Sequence, residues 1–387
     1  MPELLPPELR DLAERARRLL DEHLRPLEQS LSPDPAVPIP AEVRSRVREL
    51  SREAGIFALT QPRELGGGGA GPLASTVVRE TIAAAHLRLG RWVLGPDAGA
   101  LRAAEGDLRQ LYLEPVLRGE KRGAFAFTEP QDAPAPTRAV RDGDAFVVHG
   151  EKSYVTGGAE ADFFLTVVRM DEGAAAPVEP HTSRTALLAI DRAIPGVVIA
   201  REFTSLDGGR HAALRFDGVR VPADRMVGAV GEGMPRALRA IGDTRLAVAA
   251  HAVGASLWAL DHLTRHLLLP HRGRGPLGDR ESIRLRYGEM RVQVYAARSV
   301  LYRTARLAEA GDNVVNETMA AKLLATETLG TIVDQAIQLV GGDALVAGHP
   351  LERLYREARS LRLAEGASDL LRLQIARGAL ELEKGRL

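Results

Sequence analysis

Residues 350–366 read PLERLYREARSLRLAEG, and this stretch is the most informative part of the chain. Glu365 lies beside Gly366 where two predicted helical segments meet, directly after a run of arginines. A glycine lets a ligand approach the backbone closely, and a carboxylate held there half-desolvated can act as a base. A solvated glutamate at a helix N-terminus is the alternative, and the accompanying segments decide between the two.

The composition limits the classes of protein to which this chain can belong. A chain of 387 residues exceeds one ordinary hydrophobic core, which predicts two or three domains. Lysine plus arginine equals aspartate plus glutamate at 51 each, so no general field draws the chain to nucleic acid or anionic lipid. The absence of cysteine excludes disulfides, thiolate catalysis and iron–sulfur clusters. Neither a signal-peptide pattern nor an apolar run of membrane length is found, which predicts a cytoplasmic protein without membrane insertion.

Residues 1–120 are patterned as an N-terminal all-α domain. Apolar residues recur every three or four positions from Glu8 to Glu28, which is typical of one buried helix face. Prolines at 33, 35, 38 and 40 predict an extended connector. Further helices are predicted over 41–54, 72–89 and 107–117.

Residues 121–234 change to a β pattern. Short runs rich in valine, isoleucine and phenylalanine are bounded by turns such as Asp142-Gly143. These runs cover 145–148, 163–168, 186–190 and 196–199. The pattern predicts a middle antiparallel β-barrel or sandwich, with 172–183 as a surface loop.

Residues 235–387 return to the helical period. Apolar stripes run from Leu246 to Leu267 and from Met319 to Val340, which predicts a C-terminal four-helix bundle. The whole chain is therefore α+β and multidomain. No strand–helix alternation and no Gly-x-Gly-x-x-Gly motif follow a strand, so a Rossmann nucleotide site is not expected.

Several segments resemble the acyl-CoA dehydrogenases and follow the order of that family. They are FAFTEP (125–130), GEKSYVTGG (150–158), QLVGG (338–342) and the stretch that ends at Glu365 and Gly366. The family has an N-terminal helical domain, a middle β-domain and a C-terminal four-helix bundle, and it binds FAD. The resemblance therefore implies the same fold and FAD as cofactor.

The resemblance implies flavin contacts within the β-domain. Thr128-Glu129-Pro130 matches the Thr-Glu-Pro signature, and the Thr128 side chain and the neighbouring backbone at Phe127 are implied to bond the flavin pyrimidine ring. Tyr154 is implied to pack on the isoalloxazine, and the Thr156 hydroxyl to reach its N5 region. Because side chains alternate along a strand, residues two apart point to one face, as this pairing requires.

The remaining implied site residues lie in the C-terminal third. Arg245 and Gly366 are implied to contact the substrate; Arg245 could equally hold the Glu365 loop or form a plain ion pair. The implied cofactor contacts in this part are Gln338, Gly341, Gly342, Ala367 and Asp369.

The implied activity is α,β-dehydrogenation of an acyl thioester, with acyl-CoA as the expected substrate class. Glu365 would remove the α-proton, and the β-hydride would pass to flavin N5. Electrons would then pass to an electron-transferring flavoprotein. The family also implies fatty acid metabolism and a homo-oligomer, either a dimer or a homotetramer.

The chain departs from the family pattern at two contact segments. After residues 128–130 it reads Gln131-Asp132-Ala133 where the family has Gly-Ser-Asp, which puts the CoA contact in doubt. Of the segment that grips the FAD diphosphate, only Pro276-Leu277 remains, with Arg272 or Arg274 as candidate substitutes.

Three alternatives stay open. A flavin monooxygenase or oxidase of the same fold is disfavoured by Glu365, since the monooxygenases lack this glutamate and nitroalkane oxidase has an aspartate. A nucleic-acid-binding relative would carry a basic face, which zero net charge does not support. A flavin-free binding scaffold remains because the diphosphate arginine is missing. His262 and His266 lie one turn apart without a zincin glutamate, so no metal site is predicted.

Overall fold

The computed structural model describes residues 4–32, 37–96, 98–171, 184–270, 273, 275–382 and 387. Part of the predicted connector, the loop 172–183 and the candidate arginines Arg272 and Arg274 lie outside the described residues. The chain forms two compact units. The first comprises Met1–Gly95 with Gly242–Leu387, and the second comprises Pro96–Ile241.

The N-terminal part of the first unit is helical, as predicted. Its helices are α1 (Pro7–Arg18), α2 (Arg25–Gln29), α3 (Ala41–Glu53) and α4 (Pro72–Ala85). A π-helical turn, Leu19–Leu24, joins α1 to α2, and its three leucines are buried on the predicted stripe. Helix α4 ends four residues before its predicted limit, because His86 adopts a left-handed backbone with φ of 51°.

The described C-terminal residues form three long helices and two short ones, all within the first unit except the start of the first helix at Gly233. They are α7 (Gly233–Leu268), α8 (Glu281–Glu309), α9 (Val315–Val340), α10 (Pro350–Leu361) and α11 (Ser368–Leu380). One hydrophobic core joins side chains of α7, α8, α9 and α10, and Val77 of α4 belongs to it. The predicted helical bundle is confirmed.

Helix α7 passes the length and composition test for a membrane span, which the sequence analysis did not expect. Its most apolar window is mostly buried inside the structure. A core helix passes the same test, and the burial of Ala252, Val253 and Leu263 fits that description.

The second unit begins with α5 (Gly106–Leu108) and α6 (Glu114–Arg118) and then forms a seven-stranded sheet. The strands are β1 (Gly123–Ala126), β2 (Arg138–Asp142), β3 (Ala145–Thr156), β4 (Phe163–Asp171), β5 (Thr185–Asp191), β6 (Val197–Thr204) and β7 (Arg210–Pro222). They follow the order β1-β4-β2-β3-β7-β6, with β5 also paired to β4. Valine, leucine and phenylalanine side chains fill the core between the strands.

The predicted antiparallel arrangement holds for most strand pairs and is wrong for two. Strands β1 and β2 both run parallel to β4, whereas the other four described pairings are antiparallel. The chain reverses between β2 and β3 and again before β4. Two reversals restore the original direction, so β4 meets β2 in parallel.

Candidate active site

Glu365 lies in a tight turn between α10 and α11, and its backbone is left-handed. Its φ is 55°, and Gly366 follows with φ of 108°. The φ of Gly366 favours glycine, and a Cβ added there would also come within 2.9 Å of a Leu371 methyl carbon, which would have to shift. A non-glycine residue in this region of φ is uncommon and is often found at functional sites.

Two buried cations hold the backbone of this turn. The Arg245 guanidinium on α7 donates through Nε to the Glu365 carbonyl at 3.0 Å. The Lys322 ammonium on α9 donates to the Gly366 carbonyl at 2.9 Å and to the Arg362 carbonyl at 3.3 Å. Arg245 therefore holds the loop, which was one of the roles left open for it.

The Glu365 carboxylate is half-buried and has no hydrogen-bond or ion-pair partner within the described part of the chain. Burial raises its pKa above the ordinary glutamate value, and the charges of Arg245 and Lys322 partly oppose this rise. A carboxylate with free lone pairs and a raised pKa can accept a proton from a ligand carbon or oxygen.

The start of α11 is fixed separately. The Ser368 hydroxyl donates to the Glu327 carboxylate at 2.5 Å, and Glu327 also forms an ion pair with Arg362 at 2.9 Å. Ala367 caps the helix without a side-chain hydrogen bond. Asp369 is exposed and forms an ion pair with Arg372 at 2.7 Å, so both predicted cofactor contacts lie next to Glu365 in the first unit.

In the second unit, a buried lysine fixes the segment that contains Phe127 and Thr128. Lys152 is 2% exposed, and its ammonium donates to the Phe127 carbonyl at 3.1 Å and to the Glu129 carboxylate at 2.9 Å. Burial would raise the pKa of Glu129, but the bonds from Lys152 and Thr137 outweigh it and lower that pKa. The Thr128 hydroxyl is exposed and has no side-chain hydrogen bond among the described residues.

Tyr154 and Thr156 both lie on the exposed side of β3, with buried Val155 between them. The register with β7 shifts between Lys152 and Val155, and Tyr154 in this bulge has φ of 53°. Its ring is 67% exposed, which is unusual for a tyrosine, and it packs edge-on against Phe203. A bulge next to an active site commonly re-aims a side chain.

Sequence reasoning missed His211, which lies on β7 beside Thr156. The Thr156 hydroxyl and His211 Nδ1 are 3.2 Å apart, and His211 Nε2 is 3.1 Å from the Ser205 hydroxyl. The Asp207 carboxylate only accepts hydrogen bonds, so the single Ser205 proton is assigned to it and Nε2 is assigned as the protonated ring nitrogen of His211. In the neutral ring Nδ1 then accepts the Thr156 proton, and Thr156 presents lone pairs outward. No spacing signal links residues 55 apart on different strands.

Gln338, Gly341 and Gly342 lie at the C-terminal end of α9, away from Glu365. At 1.5 Å per residue, Gly341 is about 28 Å along the helix from Lys322. A small ligand at Glu365 could not reach them, so only an extended ligand could use both places. Gln338 and Gly342 are exposed, and a Cβ at position 341 or 342 would meet no atom within 4 Å.

The exposed groups of the second unit fit a flavin ring. A flat heteroaromatic ring with polar edges needs an aromatic surface and hydroxyl partners, and Tyr154, Thr128 and Thr156 supply them. The candidate diphosphate arginines lie outside the described residues, so the fit extends to the ring-binding groups.

Three family models match the chain. The acyl-CoA dehydrogenase N-terminal domain matches residues 6–120, the middle domain matches 124–219, and the C-terminal domain matches 231–380. Together they cover nearly the whole sequence, in the order of the three predicted parts.

Full-length relatives agree with the family models. The chain is 26% identical to 3-(aryl)acrylate reductase of Clostridium sporogenes, over 95% of this chain and 97% of that protein. It is 28% identical to the mitochondrial short-chain specific acyl-CoA dehydrogenase of Rattus norvegicus, over 94% and 88%. The crystal structure of a probable acyl CoA dehydrogenase from Mycobacterium abscessus superposes with a TM-score of 0.82 and 29% identity, covering 96% and 98%.

Proposed function

Because the chain belongs to the acyl-CoA dehydrogenase family, we propose that it oxidises the Cα–Cβ bond of an acyl thioester with Glu365 as the base. The chain is an oxidoreductase that uses FAD for acyl-CoA dehydrogenation. The role of Glu365, the substrate and the physiological acceptor are the proposed parts.

The observation that carries the proposal is the state of the Glu365 carboxylate. It has no partner within the described residues, its pKa is raised by burial, and its backbone is held in a left-handed turn by Arg245. A merely structural glutamate would instead be paired, as Glu327 and Glu80 are. An unpaired carboxylate of raised pKa is suited to proton transfer near working pH.

Each of these residues has a separate role in the proposed reaction. The Cα–H bond breaks, its proton goes to a Glu365 carboxylate oxygen, and the electron pair forms the new Cα=Cβ bond as a hydride leaves Cβ. Bound FAD would supply the acceptor for that hydride. Arg245 fixes the position of the base, and Gly366 allows the tight turn that carries it. Thr128, Tyr154 and Thr156 would hold the flavin ring.

The reverse reaction is a second candidate. One relative is named a 3-(aryl)acrylate reductase, which adds hydrogen across a conjugated double bond. In that direction protonated Glu365 would supply the α-proton, so the same residue serves both. The reduction potential of the flavin and the electron partners available in the cell set whether dehydrogenation or reduction takes place.

Other parts of the proposal rest on family likeness alone. These parts are an electron-transferring flavoprotein as acceptor and a dimeric or tetrameric homo-oligomer. A cytoplasmic location is a separate proposal that does not come from the family.

The test is anaerobic titration of FAD-loaded protein with a panel of acyl-CoAs and with 3-arylacrylates after chemical reduction. Loss of the visible absorbance of oxidised flavin with an acyl-CoA supports dehydrogenation, and its return with an arylacrylate supports reduction. The Glu365→Gln variant, which keeps the size of the side chain, is the control and should bind ligand without the absorbance change. Absence of any response in the wild type would contradict the proposal. In a separate aerobic assay, oxygen consumption in place of acceptor reduction would also contradict it.

A further inference from the structure

Lys322 lies fully buried on α9, against the turn that carries Glu365. Its ammonium donates to the Arg362 carbonyl, three residues before Glu365, and to the Gly366 carbonyl, one residue after it. One side chain therefore bonds both ends of the turn. Lys322 was not predicted as a site residue, because it lies among the apolar residues of a helix stripe.

Burying a lysine to bond two carbonyls carries a large desolvation free energy. Removing an ammonium from water is unfavourable, and a neutral amide could donate the same bonds at lower cost. The pKa of Lys322 is lowered to about 8, chiefly by burial and next by the charge of Arg245, while Glu365 and Glu327 partly oppose the shift. At pH 7 the side chain therefore still carries its charge in most molecules.

We propose that Lys322 is a positioning residue for the base: its hydrogen bonds fix the turn from Arg362 to Gly366, and its ammonium places a positive charge beside the turn that carries Glu365. The inference rests on the proposed role of Glu365. It assigns a function to a side chain 43 positions away in sequence, which bonds the backbone of the turn and, among the described residues, does not bond the carboxylate itself.

The charged groups around Glu365 explain why a second cation matters. Burial raises the Glu365 pKa, and Arg245 from α7 and Lys322 from α9 both lower it. Glu327, also on α9, is already bonded to Ser368 and Arg362 and is not free to pair with Lys322.

The two cations respond differently to pH. The Arg245 guanidinium keeps its charge throughout the working range. Lys322, with a pKa of about 8, loses its charge in mildly alkaline solution. A neutral amine still has two N–H groups for two carbonyls, so the anchoring of the turn outlasts the charge.

The experiment compares three variants. Lys322→Met removes both hydrogen bonds and charge while keeping a long side chain, and Lys322→Gln keeps a neutral donor without charge. Thr326→Val is the matched control: Thr326 is buried one turn along the same helix, and its hydroxyl bonds only backbone carbonyls of α9. Circular dichroism first checks that each variant folds.

Two readouts do not depend on activity. Hydrogen–deuterium exchange of the peptide spanning 362–368 measures the anchoring of the turn in FAD-free protein. Carbon-13 NMR of glutamate-labelled protein measures the Glu365 titration, with Glu365→Gln to assign the signal. The acid limb of kcat/KM against pH provides a third readout in the FAD-loaded enzyme.

Lys322→Met should speed exchange of this peptide roughly tenfold, the factor expected from losing bonds to a charged donor. It should also move the Glu365 midpoint upward by roughly half a pH unit or more, because an opposite charge is lost. Lys322→Gln should show the same midpoint shift with smaller exchange effects, and Thr326→Val should show neither.

Unchanged exchange in Lys322→Met, or an unmoved Glu365 midpoint in both lysine variants, would overturn the proposal. Failure of both lysine variants to fold while Thr326→Val folds would also overturn it, because Lys322 would then support the whole unit. If wild type shows no acyl-CoA chemistry, the proposed function fails, whereas exchange and NMR still report on the anchor.

Discussion

Replacing Gly341 by alanine tests why two glycines end α9. Gly341 has φ of 92° and ψ of −159°, a conformation that is essentially restricted to glycine. A Cβ added there would meet no atom within 4 Å, so steric contact adds nothing to the effect. The expected loss is backbone strain alone, about 1–3 kcal/mol of unfolding free energy.

Gly342→Ala is the matched control, because its added Cβ also meets open space but its φ lies outside the left-handed region. Alanine restricts the unfolded chain, so this variant should be more stable than wild type by about 0.4–1 kcal/mol. The two variants should therefore differ by about 1.4–4 kcal/mol although they are adjacent and chemically identical.

Urea unfolding of FAD-free protein, followed by circular dichroism at the helical signal, measures the difference through the transition midpoints. Isothermal titration then measures whether a side chain at position 342 interferes with FAD binding. If the cofactor lies against Gly342, Gly342→Ala will weaken FAD binding while raising stability. Equal destabilisation by both substitutions, or a Gly341→Ala midpoint equal to that of wild type, would refute the assignment of strain to position 341.

Three further predictions concern other charged groups. Arg298→Met should destabilise the first unit by about 3–5 kcal/mol in urea unfolding, since it leaves Glu80 buried without the partner bonded at 2.6 Å; adding Glu80→Leu should recover most of the loss. Lys152→Met frees the Phe127 carbonyl and should raise the FAD dissociation constant by roughly tenfold, whereas an unchanged constant would show that Lys152 does not shape the flavin site. Because burial raises the pKa of Glu365, folded wild type binds this proton more tightly than unfolded chain, and stability falls as pH rises from 4.5 through the folded pKa. Glu365→Gln should therefore exceed wild type in melting temperature near neutrality and match it at low pH; a constant difference at every pH would contradict this sign.

The arrangement of helices and strands was largely predictable because each element buries one face. Periodic leucines predicted the helix that begins at Pro7, and runs of β-branched residues predicted four of the strands. The π-helical turn Leu19–Leu24 was not predictable, since it preserves the apolar stripe while changing the hydrogen bonds. The parallel pairing of β2 with β4 depends on how many times the chain reverses, which composition does not reveal.

The site was predictable where chemistry follows a local motif and not where it depends on distant contacts. Glu365 and Gly366 stood out because a carboxylate and a glycine share one turn. Lys322 and His211 were missed because their partners lie tens of residues away on other elements. Lys152 was visible in its motif, but its bond to the Phe127 carbonyl joins residues 25 apart. Periodicity predicts which face of a helix or strand is buried, but it cannot identify the backbone carbonyl to which a buried ammonium donates.

The most direct measurement for the central claim is the rate at which an acyl-CoA bleaches the flavin in Glu365→Gln under anaerobic single-turnover conditions. Glutamine keeps the size and turn geometry but cannot accept the α-proton, so bleaching should slow by about 10²–10⁴-fold while FAD and acyl-CoA binding stay near wild type. Bleaching within a few-fold of the wild-type rate would mean that another group removes the proton and that Glu365 is not the base.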